Sequence, residues 1–260
     1  MKVILNIGTA SVTWALIQES LQGSRQITYK SLDLELGNQK FSKENFYEKL
    51  KIKLIQIRDQ LPGIVTGLHC LLPSAFFDWK VEQGQLNPIP FTPLLTDINT
   101  ILEDCDLEAG FLGSCLNAEV SAIQKFLPEF SGVLVSSNHA ETIYTTIEKH
   151  KVLSINRTGS LTGNEAEPLQ EQMLPLGSAR QYMRLSSPLK NLFETIISEL
   201  PLTGGILLSG GIFDISHFSE MLAWRAENHS ALLIKQLNET DPLCPALSVY
   251  TPIYCHLLVS

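Results

Sequence analysis

Paired cysteines, basic runs and long apolar stretches are all missing from this 260-residue sequence, and each absence removes a class of function. The five cysteines, Cys70, Cys105, Cys115, Cys244 and Cys255, include no Cys-x-x-Cys spacing, so neither a zinc knuckle nor a redox dithiol is encoded. Their number is odd, and Met1-Lys2-Val3-Ile4-Leu5 runs straight into Asn6 and Gly8, which leaves no apolar segment of secretory-signal length. The expectation is a cytoplasmic protein whose thiols are reduced and mostly buried. No uninterrupted apolar run approaches the roughly 18–20 residues that span a bilayer, so no integral membrane segment is expected. Lysine and arginine number 19 against 27 acids, a net charge of -8, and the basic residues are scattered. A surface of that sign repels a phosphate backbone, so nucleic acid is not an expected partner. The sequence also lacks Gly-x-Ser-x-Gly, a P-loop and His-Glu-x-x-His.

Hydrophobic residues at 44% and charged residues at 18% supply an ordinary core, so disorder over most of the chain is not expected. Residues 2–7 read as a strand stopped by Gly8-Thr9, a second strand follows over 11–18, and a third fits 25–36. Phe46, Leu50, Leu54 and Ile57 recur at helical spacing, which predicts a helix over 43–60 with Ser42 as N-cap and Pro62-Gly63 as stop. Val65–Leu72 reads as a buried strand, whereas Gly84, Pro88, Pro90 and Pro93 predict an irregular loop over 83–93. Helices are expected over 94–103 and 119–126, with a short strand between them. Strands then fit 132–136, 143–148 and 151–156, and residues 159–178 read as loop. A helix over 188–199, a strand ending in Gly210-Gly211, a helix over 216–227 and an apolar closing segment over 245–258 complete the reading. The strand–hairpin–helix pattern occurs once from residue 2 and again from residue 132. The expected fold class is therefore α/β, a duplicated unit with a cleft between two lobes.

Three segments have the character of phosphate-holding turns, in which backbone amides and hydroxyls approach an anion. The first contains Asn6, Gly8, Thr9 and Ser11, the second Ser136, Ser137 and Asn138, and the third Ser209, Gly210 and Gly211. Taken singly, each is also an ordinary hairpin or strand-end device. Taken in order, they resemble the actin-like ATPase, sugar kinase and DnaK superfamily. Its members carry an Asp-x-Gly-Thr/Ser loop near the N-terminus, a second near mid-chain, and a Gly-Gly turn late in the chain. Val65–Phe76 resembles the strand-Pro-small signature of MreB, FtsA and PilM. Residues 102–123 resemble the stretch that ends in Asn-Glu-Pro-Thr-Ala-Ala, with Glu119 at the acidic position, and residues 151–162 resemble the region after the second loop.

The resemblance implies a two-lobed, ribonuclease H-like duplicated fold, with lobes at 1–125 and 126–260 and the last segment packing back toward the first. It implies ATP and Mg2+ as cofactors, the three turns as nucleotide-binding residues, and Glu119 as a residue that orients water. The departures count against catalysis: position 6 is Asn and positions 136 and 137 are Ser where the family has acids, and Asn138-His139 replaces the second Gly-Gly. Phosphoryl transfer rests on electrostatic positioning, so loss of both acids costs several kcal/mol of transition-state stabilisation. The resulting expectation is an assembly or regulatory factor with a degenerate cleft, whose ligand is a protein partner or a second copy. The alternative is an ATP-dependent small-molecule kinase like type III pantothenate kinases, although their Gly-Ala-Asp-Arg motif is missing.

Other residues have ordinary readings beside functional ones. His139 beside Glu141 reads as a general base or an exposed loop histidine, and His69 and Cys70 read as core. Glu119 also reads as a plain surface-helix carboxylate, and Asp214 as a helix cap. Trp14, Trp79 and Trp224 read as packing residues. In the 83–93 segment, Leu86, Ile89, Pro90, Phe91 and Pro93 make a heavy apolar load, which either packs inward or forms a docking edge.

Overall fold

Two β-rich runs on either side of Gly8-Thr9 fold the chain back on itself. In the computed structural model, β1 (Lys2–Ile7) and β2 (Ser11–Glu19) pair antiparallel with Asn6 opposite Thr13. The structure describes residues 1–9, 11–19, 25–34, 43–63, 65–137, 141–159, 187–198, 204–210, 230–233 and 248–260. β3 (Arg25–Asp33) adds to β2, while β4 (Gly67–Leu72) and β7 (Phe111–Ser114) add in parallel on the other side, giving the order β3-β2-β1-β4-β7. β1 is buried on both faces, as the consecutive apolar residues Val3, Ile4 and Leu5 require. One face meets α1 (Lys43–Gln60), whose Phe46, Leu50, Leu54 and Ile57 enter the same core as Val3, Leu5 and Ile7.

The second sheet repeats this plan. β8 (Ser131–Ser137), β9 (Glu141–Glu148) and β10 (Lys151–Gly159) form an antiparallel run. β11 (Gly205–Ser209) and β12 (Ser230–Leu233) then add in parallel to β8, giving the order β10-β9-β8-β11-β12. The expected duplication is thus present in strand order and direction. The other α-helices among the described residues are α2 (Thr92–Asp104), α3 (Cys115–Phe126), α4 (Ser187–Ser198) and α5 (Thr251–Val259). The closing segment is helical over its described part, and α5 sends Ile253 into a cluster with Ile4 and Leu71 and Cys255 into one with Leu134 and Leu207. α5 therefore packs against both sheets, meeting the first on the face opposite α1. Ser42, Trp224, most of 159–178 and the helix expected over 216–227 lie outside the described residues.

Two expectations are corrected. Residues 83–93 are not an irregular loop: β5 (Phe77–Glu82) and β6 (Gln85–Pro90) form a hairpin, and α2 starts at Thr92. Gln83 and Gly84 both have positive φ, 53° and 80°, which suits a two-residue primed turn. That turn makes Glu82–Gln85 a hydrogen-bonded pair, so the pairs Trp79–Pro88 and Phe77–Pro90 are non-hydrogen-bonded. Both prolines thus stand where an amide would point away from β5, and neither costs a ladder bond. The next pair agrees, since Phe91 N–H donates to Phe76 O at 3.0 Å. The second correction is at α3, which starts at Cys115 rather than Glu119 because the Ser114 hydroxyl caps it by accepting from Asn117 N–H at 3.3 Å.

A histidine pair ties α5 to the first sheet. His69 Nδ1 on β4 lies 2.8 Å from His256 Nε2, and Phe111 stacks on His256 with ring centroids 5.1 Å apart. At this distance one ring donates an N–H to the other, and the surroundings of both rings favour their neutral forms. Burial, then the neighbouring His69 and Lys2 charges, push His256 down to about 4; burial and Lys2 lower His69 as well. A depressed histidine contributes stability that is fully present above about 6.5, its unfolded value, and is lost as pH falls toward 4. The stability advantage of wild type over His256→Phe, read from urea midpoints, is expected to shrink steadily from pH 7 to pH 5. An advantage that does not change with pH would show that the pair is not neutral.

Candidate functional site

The site lies where β1, β8 and β11 end. Gly8 closes the first turn by donating its N–H to Ser11 O at 2.9 Å, and a Cβ there would come within 2.8 Å of the same oxygen. Asn6, at the end of β1, has both ends of its amide held by the protein. Its Oδ1 accepts from Cys115 Sγ at 3.0 Å, and its Nδ2 donates to Val249 O at 3.5 Å. Thr9 is buried beside it.

Ser136 on β8 and Ser209 on β11 are register partners in parallel strands. Both turn their hydroxyls to Glu119 on α3: Ser209 Oγ donates to Oε1, and Ser136 also hydrogen-bonds the carboxyl. Glu119 is 1% exposed, so the surface-carboxylate reading is corrected: a second sheet covers the helix face that carries it. Oε2 is buried with no hydrogen-bond partner among the described residues. Burial pushes this carboxyl up to about 7, against the lowering effect of the two serines. Cys115 stands one helical turn before Glu119, and burial and the Glu119 charge push its thiol well up, so it acts as a proton donor. Hydrogen bonds thus join Val249, Asn6 and Cys115, and one helical turn on, a second, buried group joins Glu119 to the two serines.

Ser137 shares a hydrogen bond with Thr142 across the β8–β9 hairpin, with 2.9 Å between their hydroxyl oxygens. Gly210 follows Ser209 at φ +113°, and a Cβ on it would lie 1.8 Å from Ser137 O. The structure thus gathers Glu119, Ser136, Ser137, Ser209 and Gly210, and bonds Asn6 to Cys115, one helical turn before Glu119. Asn138, Gly211, His139 and Asp214 lie outside the described residues. Sequence reasoning missed Cys115, although its position four residues before Glu119 is a usable signal. It also missed Arg157, whose Nε lies 2.8 Å from Glu141 Oε2; the β9–β10 register places the two diagonally.

No protein-family model matches the sequence, and neither does any curated protein. Solved structures do match. The type IV pilus biogenesis complex PilM–PilN supplies a chain 11% identical, with 99% of this chain and 98% of that one covered at a TM-score of 0.66. The ethanolamine utilization protein EutJ of Carboxydothermus hydrogenoformans is 13% identical, covering 100% and 89% at 0.59. A Bacteroides thetaiotaomicron protein with an actin-like ATPase fold is 12% identical, covering 100% and 95% at 0.54. The chain has the two-lobed actin-like ATPase fold. In that fold Mg2+ and a nucleotide are the implied occupants, and the described donors do not fit the metal. Mg2+ takes charged carboxylates and ordered water in octahedral geometry. Here the Asn6 oxygen is taken by a thiol, and the Glu119 carboxyl is buried among serines and held toward its neutral form. No described helix of this actin-like chain is long and apolar enough to cross a membrane.

Proposed function

We propose that this actin-like chain is a cytoplasmic assembly or regulatory factor that works through contacts with a protein partner or a second copy. The reading keeps lobes at 1–125 and 126–260, and makes the turns around Asn6, Ser136 and Ser209 the remnant of a nucleotide cleft. One observation carries it: the Asn6 amide is satisfied at both ends by the protein itself, at the position where the family places an acid. Catalysis of phosphoryl transfer needs fixed charge at that point, and an amide bonded to a thiol supplies none. The PilM neighbour was solved as a complex with PilN, which supports a partner-binding role for the fold. No such observation favours the small-molecule kinase.

The β5–β6 hairpin is the proposed contact surface. Leu86 is buried, while Ile89 and Phe91 stand 49% and 41% exposed. Purified protein is expected to hydrolyse ATP at background rate, and Asn6→Asp alone to leave that rate unchanged. The double variant Ile89→Asp, Phe91→Asp is expected to lower oligomer size or partner retention at an unchanged melting temperature. Robust ATP turnover by the unmodified protein would overturn the reading.

A further inference from the structure

We propose that the β5–β6 hairpin is a strap fixing the two lobes together, so that the cleft is closed whether or not nucleotide is present. The inference rests on the two-lobe reading above, and does not depend on which partner binds.

The hairpin is rooted in one core and ends in the other. At its base, Phe76 and Phe77 pack into the first-sheet cluster with Phe46, Leu72 and Ile98. Near its tip, Leu86 packs into the second-sheet cluster with Leu134, Ile143, Ile147 and Leu207. Polar contacts repeat this division on β10. At the tip, Gly84 O accepts from Val152 N–H at 2.9 Å and from Gln124 Nε2 at 3.1 Å. Gln124 also donates to His150 O at 2.8 Å, so α3 holds the hairpin tip and the β9–β10 turn together. At the base, Arg157 Nη2 donates to Phe77 O at 2.9 Å and to Ser74 O at 3.3 Å. Its Nε meanwhile pairs with the buried Glu141. Gly84 seats so closely that a Cβ would come within 2.9 Å of Lys151 Cγ.

Lobes joined by a small polar interface rotate about a hinge by default. In this molecule, rotation would draw Leu86 out of a core and strip Arg157 from two carbonyls beside a buried carboxylate. Arg157 is partly exposed, but Glu141 is buried, so taking the arginine away would leave a buried carboxylate without its cation. A ligand shifts such an equilibrium only by contacts it makes differently in the two states. The described residues do not fit Mg2+, so the metal supplies no such difference, and the strap does the holding in its place.

The test is a distance measurement between spin labels carried on ketone-bearing residues at 52 and 153, which are exposed on α1 and β10. This labelling leaves the five cysteines untouched. Wild type is expected to give one narrow distance, unchanged by millimolar ATP with magnesium chloride. Arg157→Met is expected to add a longer population, and so is Leu86→Ala, which is read alone should Arg157→Met not fold. A broad wild-type distribution that narrows on adding ATP and magnesium would overturn the strap. So would a folded Leu86→Ala whose distances match wild type. ATP turnover with an unchanged narrow distance would instead defeat the functional reading and leave the strap standing.

Discussion

Replacing Gly210 with alanine is expected to cost about 3–5 kcal/mol of stability. Two effects add. Gly210 has φ +113°, a backbone region L-residues avoid, and its Cβ would lie 1.8 Å from the carbonyl oxygen of Ser137. That oxygen belongs to the backbone of β8, so it cannot swing aside as a side-chain tip would. Relief requires the ends of β8 and β11 to part, which also pulls Ser136 and Ser209 from Glu119. Against a total of about 5–15 kcal/mol for a domain, that is a large share of the stability. Gly63 is the control: its φ is +75°, but nothing lies within 4 Å of a Cβ there, so Gly63→Ala should cost only about 1 kcal/mol. Urea midpoints of the two variants measure the gap, and equal losses would mean that strand contact plays no part.

The second large effect is at Glu119, where the expected change is a gain. A buried carboxyl raised to about 7 from its ordinary 4.5 binds a proton more tightly folded than unfolded. Its contribution is therefore complete below about 4.5 and is lost as pH rises through 7. Glu119→Gln keeps an oxygen for Ser209, buries no charge, and should gain up to about 3 kcal/mol over wild type at pH 8.5. At pH 4.5 that gain should vanish. The sign is opposite to that of the His69–His256 pair and the two windows overlap, so in wild type the two slopes largely cancel and only the difference between the proteins isolates Glu119. Thermal melts of both proteins from pH 4.5 to 8.5 check this, and a Glu119→Gln deficit at high pH would show that the carboxylate is charged and needed there.

Local pattern carried most of the scaffold. Phe46, Leu50, Leu54 and Ile57 marked α1 because one helix face meets one core, and the β1–β2 turn was legible because Gly8 interrupts two apolar runs. Prolines misled at 88 and 90 because composition does not record which amides of an edge strand face solvent. Glu119 was misjudged for a related reason: helical spacing shows an apolar face but not that a second sheet, strands away in sequence, covers a polar residue as well. His69 meets His256 across 187 positions, and Arg157 meets Phe77 across 80. Contacts at such separations leave no periodicity to read. Asn6, by contrast, stood out because a single residue type was missing where charge was expected.

The positions of Pro88 and Pro90 also bear on synthesis of the chain. A ribosome adds about 5–20 residues each second, so the hairpin leaves it seconds before β8 to β11 exist to receive Leu86. Throughout that interval an apolar hairpin is exposed among other nascent chains. Its outer β6 edge offers a neighbour the N–H and C=O groups of 86, 88 and 90, and two of those three positions have no N–H, which leaves one outward donor of three. The same prolines that disguised the strand in the sequence keep its unfinished edge from seeding aggregates before its own second lobe arrives.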